Sequence, residues 1–290
     1  MKSLTLSAAV AATAVCLTMQ TAFGQLVVTP DANANDLASS ILGAGITLNS
    51  ATYTGAANAV GTFTGGNSAG VGLGIDTGII LTSGNAVGAV GPNNTSSYSI
   101  GNGTAGSAEL SGLIVGQATH DAATLSINFT TATSGGLFFN YVFGSEEYPE
   151  FVGAFDDVFG FFLDGNNVAL LPSSTTAVSI NTVNDVTPAN PAYYRNNNQN
   201  NTGGVSPFNL QYDGLTTVLS VNVANLAAGT HTIDLGIADA LDTALDSGVF
   251  IQGGTLSTAP TPVSGAPDAG STFGLLSLAL SAMAMLRRKK

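Results

Sequence analysis

Short apolar runs separated by turn residues constrain this chain more than any other feature. The runs are Gly78-Ile79-Ile80-Leu81-Thr82, Ala123 to Phe129, Leu137 to Phe143, Val158 to Leu163, Val218 to Val223, Thr232 to Ile237 and Val249-Phe250-Ile251. Stretches rich in Gly, Asn, Asp and Pro lie between them, and no long helical periodicity joins them. Many short strands bounded by turn residues make a sandwich or a barrel. Leu137 to Phe143 and Val158 to Leu163 are apolar on nearly every residue, as central strands covered on both faces are. An acidic loop joins these two. The expectation is one all-β domain over residues 25–258, a jelly-roll-like β-sandwich.

Two stretches read as loops. Residues 84–108 are rich in Gly, Asn and Ser, and residues 181–209 contain Asn196-Asn197-Asn198-Gln199-Asn200-Asn201 among prolines. Asn and Gly favour turns and left-handed backbone, so the second stretch is expected to be a long surface insertion.

The ends have a different character. Lys2, an apolar run from Leu4 to Met19 and Ala22-Phe23-Gly24 have the layout of a secretory signal peptide over residues 1–24, cut before Gln25. The sole cysteine, Cys16, lies inside it, so the mature chain can form no disulfide. Residues 259–265, with Pro260 and Pro262, form a linker. Residues 266–290 then run Ala266-Pro267-Asp268-Ala269-Gly270-Ser271-Thr272, an apolar helix, and Arg287-Arg288-Lys289-Lys290. The apolar segment 272–286 is interrupted by Ser277 and Ser281, and it is shorter than the roughly 20 residues of a spanning helix. Transient retention at the inner membrane suits such a segment.

This tail resembles the C-terminal sorting signals of exosortase-type transpeptidases, in the class built on Val-Pro-Asp-Ser-Gly. Pro267, Asp268 and Gly270 keep that pattern, while Ala266 and Ala269 depart from it. The resemblance implies an exosortase-like transpeptidase as partner, with the chain membrane-anchored during sorting and then displayed at the cell surface or outside it. An ordinary weak membrane anchor is the alternative.

Between the two ends, the eighteen acids less Asp268 face Arg195 alone, a formal charge of −16. Such a surface repels nucleic acid and anionic lipid. The acids are also clustered. Residues 146–164 hold Glu146, Glu147, Glu150, Asp156, Asp157 and Asp164 beside aromatic strands. Adjacent carboxylates repel, and Ca²⁺ takes six to eight oxygens from carboxylates, carbonyls and water. A second cluster is Asp239, Asp242 and Asp246, which a short helix would place on one face. A solvated acidic face explains that second cluster equally well. Neither has EF-hand spacing. The candidate metal ligands are Glu146, Glu147, Asp156, Asp157, Asp239, Asp242 and Asp246, with Ca²⁺ the expected ion.

The segments Phe143-Gly144-Ser145-Glu146-Glu147-Tyr148-Pro149-Glu150-Phe151-Val152 and Asp156-Asp157-Val158-Phe159-Gly160-Phe161-Phe162-Leu163-Asp164-Gly165 resemble the signature of the choice-of-anchor L domain. Gly61 to Gly66, Gly78 to Gly84, and Ile237-Ala238-Asp239 with Asp246 to Ile251 fit it too, so the resemblance spans roughly residues 30–256. It implies bacterial surface display and no defined activity.

Three functions follow as expectations. The first is an exported surface or extracellular-matrix structural protein, stabilised by Ca²⁺. The second is a carbohydrate-binding module for extracellular polysaccharide, stacking sugars on Tyr148, Tyr193 or Tyr194. The third is a glycoside hydrolase with Glu147 and Asp157 as its carboxylate pair. No nucleophile–base arrangement stands out, and His120 and His231 read as surface or core-edge residues, so the chain is read as no enzyme.

Overall fold

A computed structural model describes residues 24–114, 116–187 and 189–261. Residues 1–23 of the expected signal peptide, the sorting motif Ala266 to Gly270 and the apolar segment 272–286 lie outside the described residues.

Thirteen strands form two antiparallel sheets. In chain order they are β1 (Val27–Pro30), β2 (Ile46–Thr54), β3 (Val60–Thr64), β4 (Gly78–Thr82), β5 (Thr119–Thr131), β6 (Gly135–Ser145), β7 (Val158–Leu163), β8 (Asn166–Asn167), β9 (Tyr194–Asn196), β10 (Gly214–Thr216), β11 (Leu219–Leu226), β12 (Gly229–Ala240) and β13 (Ser247–Gln252). The larger sheet has the order β1-β3-β4-β13-β6-β10-β9, with β11 also paired to β6. The smaller sheet runs β2-β5-β12-β7-β8. Consecutive strands cross between sheets: β5, β6 and β7 alternate, as do β11, β12 and β13. This crossing is the jelly-roll manner of closing a double sheet. The two all-apolar strands, β6 and β7, therefore lie in opposite sheets rather than side by side.

Side-chain alternation divides each strand between two environments. On β6, Leu137, Phe139, Tyr141 and Phe143 face the space between the sheets, where they meet Phe159, Phe161, Ile233, Leu235 and Ile237. Phe143 stacks on Phe159 with ring centroids 4.8 Å apart. Val142 instead faces outward, into a second core with Phe250, Tyr212 and Leu215 under the loops. A third cluster, built on Leu110 and Phe162, covers the outside of β7. Both all-apolar strands are thus covered on both faces, as their composition requires. Each large apolar side chain so buried contributes about 1.5–3 kcal/mol.

The helix α1 (Ala34–Ile41) begins at Asn33, whose side chain accepts from the Asn35 amide, and it buries Leu37, Ala38 and Ile41. Its eight residues are too few for the long periodicity a sequence reading looks for. Among the described residues, no helix is long and apolar enough to cross a membrane.

The 181–209 stretch is more than a surface insertion. Asn184, Asn197 and Asn198 are fully buried. The Asn197 amide donates to the Leu210 carbonyl (3.0 Å) and the Tyr212 carbonyl (2.9 Å), and its oxygen accepts from the Phe208 amide (2.8 Å). Short amide side chains satisfy irregular backbone that no sheet partner reaches, so an Asn-rich segment can be interior.

Candidate functional site

The acids gather where β6, β7, β12 and β13 all terminate. Register decides which acid meets which. Ala238 pairs with Val158, so one step further Asp239 of β12 stands opposite Asp157, just before β7. Both continue the inward-facing set of their strands, formed by Ile233, Leu235 and Ile237 on β12 and by Phe159, Phe161 and Leu163 on β7. Glu147 reaches the same place from the larger sheet, where Asp242 and Asp239 are its charged neighbours. Glu147, Asp157 and Asp239 thus form one group at the end of the inter-sheet core, with the exposed Asp242 at its mouth.

Glu146 goes elsewhere. Ser145 pairs with Ser247 on one side and Gly214 on the other. One step beyond, Asp246, Glu146 and Asp213 stand abreast across β13, β6 and β10. The Glu146 amide donates to the Asp246 carbonyl at 3.1 Å, extending the ladder to this row. The row faces the outer core, beside Tyr98, Gln211 and Tyr212. Adjacent acids in sequence therefore serve different sites.

The expected helix over 239–246 does not form. Leu241 and Leu245 both have positive φ (74° and 63°), which breaks any helical face; Asp239 joins the inter-sheet acids while Asp246 joins the row on the outer face, though the two remain charged neighbours. Asp156 joins neither group; Ser179 and Asn181 are its polar neighbours, and burial is the main cause of its raised pKa. Asp213 and Asp121 were not legible as site residues. Asp121, at φ 48°, accepts the Asn102 amide (2.9 Å) and the Thr104 amide (2.6 Å) and lies near both Asp239 and Asp246.

Partners are unevenly distributed. Asp157 accepts from the Ala240 amide (3.0 Å) and the Ser247 hydroxyl (2.7 Å). Asp246 accepts from the Ile100 amide (3.0 and 3.2 Å), and its carboxylate fills the space a Cβ on Gly84 would occupy. Asp213 accepts from Asn93 (2.5 Å) and Asn198 (2.7 Å). By contrast, both oxygens of Asp239, both of Glu146 and one of Glu147 are buried with no hydrogen-bond partner. Ser83 lies close to Asp239, and Gln211 and the Tyr98 backbone lie close to Glu146; they moderate the pKa shifts without completing a well-formed hydrogen bond.

Among the described residues, no side-chain cation compensates. Arg195, the sole Lys or Arg between Lys2 and Arg287, donates to the carbonyls of Thr216, Gly72 and Leu73 and stacks over Phe208. The electrostatic consequence is a set of raised carboxyl pKa values. Burial, then Asp213, pushes Glu146 up to about 10. Burial, then Asp242 and Asp239, takes Glu147 to about 8. Burial, then Asp157, takes Asp239 to about 10, and burial with Glu147 drives Asp157 well above the usual range. Burial is also the first cause for Asp246 and Asp213, each raised to about 7.

An unpaired buried charge is costly in a low-dielectric interior. The carboxylates must either hold protons or share a cation. The donor set is all oxygen, hard and anionic, which suits Ca²⁺. As the side chains stand, no three His, Cys, Asp or Glu among the described residues converge tightly enough to grip an ion. The fit therefore rests on the orphaned oxygens and the donor chemistry.

The sugar-stacking reading loses most of its basis. Tyr148 is fully buried, with its hydroxyl donating to the Val183 carbonyl (2.7 Å), and Tyr194 packs against it with only 9% exposed. His231 is a core-edge residue as expected, bonded to Asp164 at 2.7 Å.

An acidic two-sheet domain followed by a sorting tail defines a class: exported proteins displayed at the cell surface. Residues 27–257 match the choice-of-anchor L domain, and the chain belongs to that family. Residues 267–290 match the VPDSG-CTERM motif, which implies processing by an exosortase-like enzyme at the membrane. No curated protein and no solved structure matches the chain.

Proposed function

We propose that this protein is a structural module of the cell surface or extracellular matrix whose two sheets are locked together by Ca²⁺. The ion is held at the end of the inter-sheet core by Glu147, Asp157 and Asp239, with Asp242 at the mouth. The observation that carries this reading is the set of buried, partnerless oxygens on Asp239 and Glu147. Glu147 comes from the larger sheet, Asp157 and Asp239 from the smaller, so one ion would bridge the two layers. A domain that can form no disulfide gains a cross-link this way.

We assign it no catalytic role. Asp157 is fully buried, with both oxygens held by Ala240 and Ser247, and Glu147 is 1% exposed. Both carboxylates face the core rather than an open cleft. The tail is a removable signal, cut within the 266–270 motif by an exosortase-like transpeptidase.

Thermal melting with and without EDTA tests the lock. At 100 times its Kd a bound ion adds about 2.7 kcal/mol, which moves the melting temperature by roughly 5–10 °C in a domain of 150–250 residues. Identical melting curves would end the calcium reading. Mass spectrometry of the mature C-terminus tests the sorting: an end near residues 264–270 supports cleavage, and an intact Lys290 opposes it.

A further inference from the structure

We infer that the outer face of the larger sheet carries a second divalent-cation site, formed by Asp246, Glu146 and Asp213 in a row across β13, β6 and β10. The inference rests on the same charge-balancing logic as the inter-sheet lock, but on different residues on the opposite face of β6. Register fixes the row, because Ser145 is paired to both Ser247 and Gly214. Neighbouring strands lie about 4.8 Å apart, so three like-facing carboxylates occupy one short line. Like charges directly opposite each other in a sheet are destabilising.

A second observation points to a ligand. Glu146, in the middle of the row, is 1% exposed, and neither of its carboxylate oxygens has a hydrogen-bond partner. Its two neighbours are held in place from the loops. Asp246 is fixed by the Ile100 amide, and Asp213 by Asn93 and Asn198. The central carboxylate thus has anionic neighbours on both sides and no well-formed hydrogen bond, with Gln211 and the Tyr98 backbone the nearest donors.

One end of the row borders a pocket. Asp213 lines a polar surface pocket of about 250 Å³ together with Asn93, Thr95, Gln199 and Asn200. Its amide and hydroxyl lining suits a hydrated cation. As they stand, no three acids among the described residues converge on one point, and Asp246 and Asp213 lie two strands apart with Glu146 between them, so a Ca²⁺ with ligands at about 2.3–2.6 Å would have to draw both toward Glu146. It would also pin the 84–101 and 197–213 segments to the sheet, since both supply the groups that hold Asp246 and Asp213. The inter-sheet ion would hold the two layers together, whereas this one would hold the loops down.

Equilibrium dialysis of the intact protein against calcium tests this directly. The expected result is two ions per chain, reduced to one by Glu146→Gln with Asp213→Asn. The same reduction is expected from Glu147→Gln with Asp239→Asn, which leaves the outer site filled. A single ion in the unmodified protein, lost only with the Glu147 and Asp239 changes, overturns the second site and leaves the lock standing. Two ions retained after Glu146→Gln with Asp213→Asn also overturn it. A protein that binds no calcium sinks both readings. Melting in EDTA guards against misfolding: the Glu146→Gln variant should melt no lower than the unmodified protein, because the neutral amide avoids the cost of burying a carboxyl that must take up a proton.

Discussion

Strand β7 is flanked by an aspartate at each end, and the two behave oppositely. Asp157 enters the strand, fully buried, among other acids, and burial with Glu147 raises its pKa far above normal. Asp164 leaves the strand, with its side chain 47% exposed. Partial burial would raise its pKa, but hydrogen bonds from His231 and the Thr232 amide outweigh this and lower it. Six residues of strand separate a carboxylate that favours a proton or cation from one that favours its charge. The difference lies in water and donors, not in residue type.

The strongest way to break this comparison is Asp157→Ala. It strands the Ala240 amide and the Ser247 hydroxyl in a dry interior, at about 1–3 kcal/mol for each orphaned group. The expected loss is about 3 kcal/mol in urea unfolding with calcium present, and a loss under 1 kcal/mol would refute the structural role. Asp239→Asn is next. It should abolish the calcium-dependent gain of about 2.7 kcal/mol, yet melt higher than the unmodified protein in EDTA. A variant that melts lower in both conditions would show that Asp239 is held by donors and not by an ion.

The smallest effect is expected at the exposed end. His231→Ala should cost about 0.2–1 kcal/mol, because solvent screens the pair. The His231 pKa is raised: burial opposes the rise, but Asp164 and the Ala227 carbonyl overcome it. Its contribution is therefore present below the unfolded value of 6.5 and fades as pH rises through the folded one. Asp164 has the opposite sign, contributing above 3.8 and losing that contribution as pH falls through its lowered folded value. The pair should matter most between these limits. Melting of the variant across that range checks it.

Much of the fold was legible in the sequence. Val158 to Leu163 is β7, bounds included, and the runs at 137–143 and 232–237 lie within β6 and β12. Apolar density marks such strands because both faces are covered. Strand β2 escaped notice because it is an edge of its sheet: Ile46 to Thr54 alternates between half-buried and exposed and is mostly polar. The site was half legible. Clustered acids announced an electrostatic problem, but closeness in sequence misassigned the partners. Glu146 and Glu147 separate because strand β6 ends at Ser145: Glu146 still bonds across to Asp246, whereas the turn that follows carries Glu147 to the inter-sheet acids. Asp213 is isolated in sequence and enters its row only through the pairing of β10 with β6, a contact no local pattern encodes.

The central claim is that the buried carboxylates are balanced by a cation and not by permanent protons. Melting temperature against pH, from 5 to 9, with EDTA and with saturating calcium, tests it most directly. Without metal, the raised values of Glu147 (about 8) and Asp239 (about 10) give stability that is present below the unfolded carboxylate pKa and is lost as pH rises. The EDTA curve should therefore fall steadily toward pH 9. Calcium requires deprotonated ligands and binds more tightly as pH rises, so the calcium curve should stay level or climb, and the two should diverge above neutrality. Two curves that fall in parallel would contradict the account.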